Sequence, residues 1–271
     1  MKKNKIISGV VAAAALCAVN ASAQITYDNG DLLAGFRVAS GTGSGTDVIV
    51  DLGAINNFQP TAASQSFSGV SSALTSVFGG SLSGVYWSVF GANVTPNSYG
   101  LSPNPSVSET DPDTIWVTKP RSNPSNQTSA PLVASDDAQN PVALDILQIG
   151  DSTDDPADAS DVTPISADII SIQYDSENGY GYSPVIEDSG DANTSGNFGG
   201  DWTSVEKKGS GTSDLYQSNP GSSGTATYLG DFVLGSSGNL TFNPAPEPST
   251  LAILGAGLMS LLTINRYRRK K

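Results

Sequence analysis

The chain has no histidine among its 271 residues, and its one cysteine, Cys17, lies in an apolar stretch near the start. Without imidazole there is no Ser-His-Asp or Cys-His catalysis, no His-ligated zinc and no side chain that titrates near neutrality unperturbed. Beyond Cys17 there is no thiol and hence no disulfide. Positive charge is also scarce. Of the 13 Lys and Arg, three lie at the start and five at the end, so residues 24–246 keep Arg37, Lys119, Arg121, Lys207 and Lys208. Of the 26 acids only Glu247 falls outside that stretch, which therefore carries 5 − 25 = −20 against −13 for the whole chain. A field of that sign repels nucleic acid and anionic lipid and attracts cations or basic partners, which excludes nucleic-acid binding. What the absences leave is carboxylate chemistry, hard oxygen-ligated metals, or no chemistry.

The first 23 residues read as a secretory signal peptide. Lys2, Lys3 and Lys5 form its charged region, residues 6–19 its apolar core, and Ala21-Ser22-Ala23 supplies the small residues that signal peptidase requires. Cleavage is expected after Ala23, leaving Gln24 first, and the leader is expected to be helical. At the other end, Pro246-Glu247-Pro248 precedes a short apolar run, residues 251–264, and then Arg266, Arg268, Arg269, Lys270 and Lys271. The run is shorter than the roughly 20 residues that span a hydrocarbon core. Ser249 and Thr250 extend it, and tilt or thinning absorbs mismatch. We expect a transmembrane helix over about 249–264, its basic end (residues 265–271) held in the cytoplasm by the positive-inside rule. Gly255, Ala256 and Gly257 in mid-run permit close approach to another helix.

This tail resembles the PEP-CTERM sorting signal of Gram-negative bacteria. The resemblance implies recognition by the membrane enzyme exosortase, cleavage near the triplet, and release or transfer of the protein. It makes Pro246, Glu247, Pro248, Arg266, Arg268 and Arg269 the sorting determinants. Three further blocks resemble recurrent segments of secreted PEP-CTERM proteins without an assigned activity: residues 30–37 (GDLLAGFR), 116–122 (WVTKPRS) and 228–235 (YLGDFVLG).

Between the two ends the composition is Gly-, Ser-, Thr-, Asn- and Asp-rich, which disfavours long helices. Leu32, Ala34, Phe36 and Val38 alternate with Leu33, Gly35 and Arg37, a strand pattern. Residues 48–50 extend the pattern beyond a Gly-rich turn, and residues 85–90, apolar on both faces except for Ser88, predict a central strand. Val70, Leu74, Val77 and Phe78 predict a short helix ended by Gly79-Gly80. Residues 114–118, 169–174, 180–186, 214–217, 225–234 and 240–242 read as strands, and residues 143–149 fit helix or strand equally. Pro103, Pro105, Pro112, Pro120, Pro124 and Pro131 predict long Pro/Ser/Asn-rich loops between 95 and 140. The expected fold is all-β: a single β-sandwich or jelly-roll-like domain over residues 24–243 with one short helix, followed by the sorting signal at 244–271.

Two acidic stretches are candidate calcium loops. Asp151, Asp154, Asp155, Asp158 and Asp161 crowd together with no basic neighbour, although a solvated loop accounts for them as well. Asp191 and Asn193 begin a stretch like the first half of a calcium loop, but Trp202 stands where its closing Glu belongs, and an ordinary turn fits better. No cofactor other than calcium is implied. No carboxylate pair is marked out by context for glycosidase chemistry. Trp87, Trp116 and Trp202, with Tyr86, Tyr180 and Tyr182, would make a sugar-stacking platform if exposed, but such residues are more often core.

The reading is therefore an exported, exosortase-processed protein of the cell surface or extracellular matrix, non-catalytic and structural or adhesive. The alternative is a secreted carbohydrate-binding or carbohydrate-degrading domain. The expected partners are signal peptidase and exosortase, with extracellular polysaccharide beyond them. The expected route is transient anchorage in the inner membrane, then the cell surface or exterior.

Overall fold

The structure, a computed structural model, describes residues 28–93, 114–128, 162–166, 168–173, 182–183, 205–218 and 226–246. Eleven strands and one α-helix form: β1 (Asp31–Val38), β2 (Thr46–Ala54), β3 (Gln65–Phe67), α1 (Val70–Phe78), β4 (Val85–Asn93), β5 (Thr114–Pro120), β6 (Val162–Ser166), β7 (Ile169–Gln173), β8 (Lys207–Lys208), β9 (Gly211–Ser218), β10 (Thr227–Leu234) and β11 (Leu240–Pro244). All pair antiparallel in one continuous sheet of order β3-β11-β10-β9-β5-β4-β1-β2-β7-β6, with β8 beside the start of β4. The sheet curls into a half-barrel. Two facing sheets, as in the expected sandwich, are not seen among the described residues. A curled sheet covers its inner face with its own ends and a helix, so the same strand patterns need no second sheet.

The inner face carries the main core. Leu32, Ala34, Phe36 and Val38 of β1 meet Val48, Val50 and Leu52 of β2, Val85, Trp87 and Val89 of β4, and Phe232 and Phe242 of β10 and β11. Helix α1 lays Val70, Ala73, Leu74 and Phe78 onto this face. It stops at Gly79, whose φ of 76° favours glycine and whose N–H returns to the Thr75 carbonyl at 3.1 Å. A short 3-10 helix, Ile55–Phe58, precedes β3 and inserts Phe58 among Phe67, Phe232 and Phe242. The segment between β2 and β4 thus bridges the two ends of the sheet's strand order across its open side.

The outer face is also buried at mid-sheet, where Leu33, Ile49, Phe90, Ile115, Val117, Ile170 and Tyr216 are inaccessible. For that reason β1 and β4 are apolar on both faces, as strands covered on both sides are. The sheet's edges are blunt: β3 has three residues, and β6 carries Pro164 at its centre.

The domain's two described ends leave by the same rim of the sheet. Gly30, just before β1, donates its N–H to Ala92 at the end of β4. From there the rim runs through the pairs Asn93–Thr114, Ile115–Ser218, Gln217–Thr227 and Pro244–Gly230. Ala245, beyond β11, donates to the Leu229 carbonyl at 2.8 Å. Arg37, Lys119, Arg121, Lys207 and Lys208, the five basic residues of 24–246, all lie toward the opposite rim, at the end of β1, at and just after the end of β5, and on β8.

Residues 180–186 were expected as a strand, but Tyr182 and Ser183 have helical backbone and the rest of that run lies outside the described residues. The expected leader and tail helices and residues 143–149 also lie outside them. Among the described residues no helix is long and apolar enough to cross a membrane.

Candidate functional site

The densest polar assembly sits on the outer face over β1, β2 and β4. Arg37 follows the apolar run of β1 and points outward, where Glu206 receives it: Nε donates to Oε1 at 2.8 Å and Nη2 to Oε2 at 2.6 Å. Tyr182 donates its hydroxyl to Glu206 Oε1 at 2.9 Å. That uses its one proton, so Ser88, at 2.7 Å, is the donor to the Tyr182 oxygen. The Tyr182 ring stacks on Phe90 at 5.5 Å and lies over Gly35, where a Cβ would collide with it. Asp47 holds Ser183 twice, accepting from its N–H at 2.7 Å and from its hydroxyl at 2.5 Å. At the outer edge, Arg37 and Lys208 flank the Tyr86 ring at 5.1 and 5.0 Å.

Burial sets the electrostatics of this cluster. Asp47 is fully inaccessible, and loss of solvent raises its pKa from 3.8 to about 7, against the hydrogen bonds from Ser183 and the charge of Arg37, which lower it; Glu206 raises it further. Burial, and then the adjacent Glu206, pushes the Tyr182 phenol well above its ordinary value. Asp51, further along β2, rises to about 6 for the same first reason, aided by the charges of Asp168 and Asp28.

These shifts have a definite sign. Between about pH 4 and 7 the folded protein keeps a proton on Asp47 that the unfolded chain has released, so stability falls as pH rises through that window. Asp51 acts in the same direction up to about pH 6. A displacement from 3.8 to about 7 corresponds to a loss on the order of 4 kcal/mol. Asp47→Asn places an amide where the protonated carboxyl sits, with its oxygen facing the Ser183 N–H and its NH2 facing the Ser183 hydroxyl. The variant is expected to be more stable than the parent at pH 8 and to have a flatter profile from pH 4 to 7. Urea unfolding at several pH values checks this; parallel profiles for the two proteins would contradict it.

A second hub stands toward the same rim on β5, β9 and β10. Arg121 reaches Asp214 Oδ1 through Nε at 2.7 Å and Nη2 at 2.6 Å, Asp231 Oδ2 at 3.2 Å and the Tyr228 hydroxyl at 3.3 Å. Asp214 Oδ2 also accepts the Thr128 N–H at 2.6 Å, and Asn243 donates to Asp231 Oδ1 at 3.0 Å. Lys207 donates to the Arg121 carbonyl at 2.9 Å, and Lys119 faces Asp214 across the β5–β9 ladder. Two of the three recurrent blocks therefore meet here, through Arg121 and the pair Tyr228–Asp231. The remaining block supplies Arg37 to the first cluster.

Chemically, both clusters lock the chain together. Arg37, Asp47, Ser88, Tyr182, Ser183, Glu206 and Asp214 are all buried, and among the described residues only Ser213 Oγ is a buried side-chain polar atom without a partner. Trp87 and Trp116 are buried too, donating to the Gly209 carbonyl and to Gln217 Oε1. Tyr182 is buried as well, so these three offer no open sugar-stacking face, while Tyr86 is half-buried and its ring is contacted by Arg37 and Lys208; Tyr180 and Trp202 lie outside the described residues. Sequence reasoning missed both hubs. The signal was the scarcity of cations: five basic residues among 25 acids leave few ways to pair a buried carboxylate.

Of the expected site residues, Pro246 alone is described, exposed and next to the sheet-bound Ala245. Glu247, Pro248, Arg266, Arg268, Arg269, Ala21, Ala23, Gln24 and the calcium candidates Asp151, Asp154, Asp155, Asp158, Asp191 and Asn193 lie outside the described residues. Among those described, no group of three acidic, Cys or His side chains is arranged to hold a metal ion. No curated protein and no solved structure matches the chain. Residues 244–269 match the family described as PEP-CTERM protein-sorting motif, which begins on the last residue of β11. The chain thus carries a PEP-CTERM sorting motif, and that motif marks it as an exosortase-targeted protein sorted to the exterior.

Proposed function

We propose that this is an exported protein whose tail is held in the inner membrane, cut by exosortase near Pro246-Glu247-Pro248, and removed. The mature domain then serves at the cell surface or in the extracellular matrix as a non-catalytic structural or adhesive component. The observation that carries this reading is the junction at residues 244–246, where the last described strand is bonded into the sheet and the matched sorting motif begins on its final residue. The non-catalytic role is supported by the two polar hubs, whose charged groups are engaged with one another. A net charge of −20 over residues 24–246 keeps such a domain soluble and suits it to bridging polymers through divalent cations. The carbohydrate-binding alternative loses support from the burial of Trp87, Trp116 and Tyr182.

Intact-mass analysis of the protein from native cell surface and medium tests the proposal. The expected species begins at Gln24 and lacks Leu251 to Lys271, with any excess mass reporting an attached group. A surface species that retains the basic tail would make it a lasting anchor and overturn the processing step.

A further inference from the structure

The last strand and the sorting motif share chain. The motif match starts at Pro244, the final residue of β11. Ala245, which follows, is buried and donates its N–H to the Leu229 carbonyl at 2.8 Å. Pro246 is exposed and opens the Pro-Glu-Pro triplet. Strand β3 pairs with β11 only at Leu240, Thr241 and Phe242. Among the described residues, the strand beyond Phe242 is therefore held by β10 alone, through the pairs Asn243–Asp231 and Pro244–Gly230.

Gly230 makes that docking possible. It follows a register shift in the pairing of β10 with β9, and a Cβ there would collide with the Asn243 carbonyl and the Phe242 ring. Neither Pro244 nor Pro246 has an N–H, so Ala245 carries the one backbone donor between Asn243 and Glu247. An enzyme that cuts a peptide bond grips the chain beside it as an extended segment, through backbone hydrogen bonds of the kind that add a strand to a sheet. The donor that such a grip needs just upstream of the triplet is the one that β10 holds.

We propose that the end of β11 is a latch on processing: Pro244 and Ala245 must leave β10 before the triplet enters the exosortase active site, so the folded domain slows its own release. This rests on the exosortase reading of the tail. Cleavage that needs a local opening runs at a rate set by the open fraction when reclosing is fast. A strand end paired on one side is among the openings of low cost, so the latch delays removal of the tail and does not prevent it.

Pulse-chase of the full chain in its native cells tests this, with intact mass identifying the shortened product. Gly-Ser-Gly-Ser inserted between Ala245 and Pro246 supplies free chain without touching the sheet. Gly230→Ala loosens the end of β11 without adding length. Each change is expected to shorten the half-time of tail removal about fivefold, the factor that one net backbone hydrogen bond makes in an equilibrium. In the chain with the insertion, Gly230→Ala is expected to add nothing, because undocking no longer matters there. A general loss of stability would instead act in both backgrounds. Should Gly230→Ala fail to accumulate, the insertion decides alone. An insertion that leaves the rate unchanged or lowers it overturns the latch, as does a Gly230→Ala effect of equal size in both backgrounds. A parent chain whose tail is never removed overturns the exosortase reading, and the latch falls with it.

Discussion

Arg37→Ala is expected to lower the unfolding free energy by about 3–5 kcal/mol, the cost of leaving one member of a buried pair behind. Glu206 would then be a carboxylate in the protein interior with only the Tyr182 hydroxyl for company. A domain of this size has a total stability of about 5–15 kcal/mol, so the variant stands close to unfolding. Replacing both partners is a different experiment: Arg37→Met with Glu206→Leu removes both charges and is expected to recover most of the loss. Urea denaturation of the single and double variants at pH 7 separates the cases. A single-variant loss under about 1 kcal/mol would put the pair in the class of solvated surface bridges and contradict its burial.

The second large effect is expected at Phe58. Its ring lies 5.7 and 5.2 Å from those of Phe232 and Phe242 and 6.1 Å from Phe67, with no exposed surface. Phe58→Ala removes the wedge between the 3-10 turn and the β10–β11 end of the sheet, at an expected cost of about 3–5 kcal/mol. Phe58→Leu keeps most of the volume and should cost about 1.5 kcal/mol or less. The same denaturation curves check it. Near-equal stability of the alanine variant would mean that the aromatic cluster does not close the half-barrel.

Local pattern and global fold were legible to different degrees. Helix α1 runs from Val70 to Phe78 and stops at Gly79, as the i, i+4, i+7 spacing and the Gly pair predict. The central position of β4 follows from its two apolar faces, and it does lie between β1 and β5. Strands β3, β6 and β8 were not anticipated, because a strand of two or three residues, or one with Pro at its centre, carries too little periodicity. Curvature was also out of reach. Whether eleven strands split into two sheets or curl as one depends on long-range pairings such as β3 with β11, which local alternation does not encode. The sorting motif was readable because it is a linear signal. The Arg37 and Arg121 hubs join positions distant in sequence, so only the fold brings them together.

The pairing of β3 with β11 also sets an order of events. Leu240 lies opposite Phe67, so β11 docks against an edge strand, β3, made almost a whole domain earlier. Contacts of such separation form slowly, since the intervening chain must be closed into a loop before they yield any stabilisation. For a chain that crosses the membrane from its N-terminus, β11 is the last part of the domain to emerge, directly ahead of the tail. The aromatic cluster completed by Phe242 therefore stays open until translocation is almost finished. Completion of folding and arrival of the sorting signal are, on this account, nearly simultaneous.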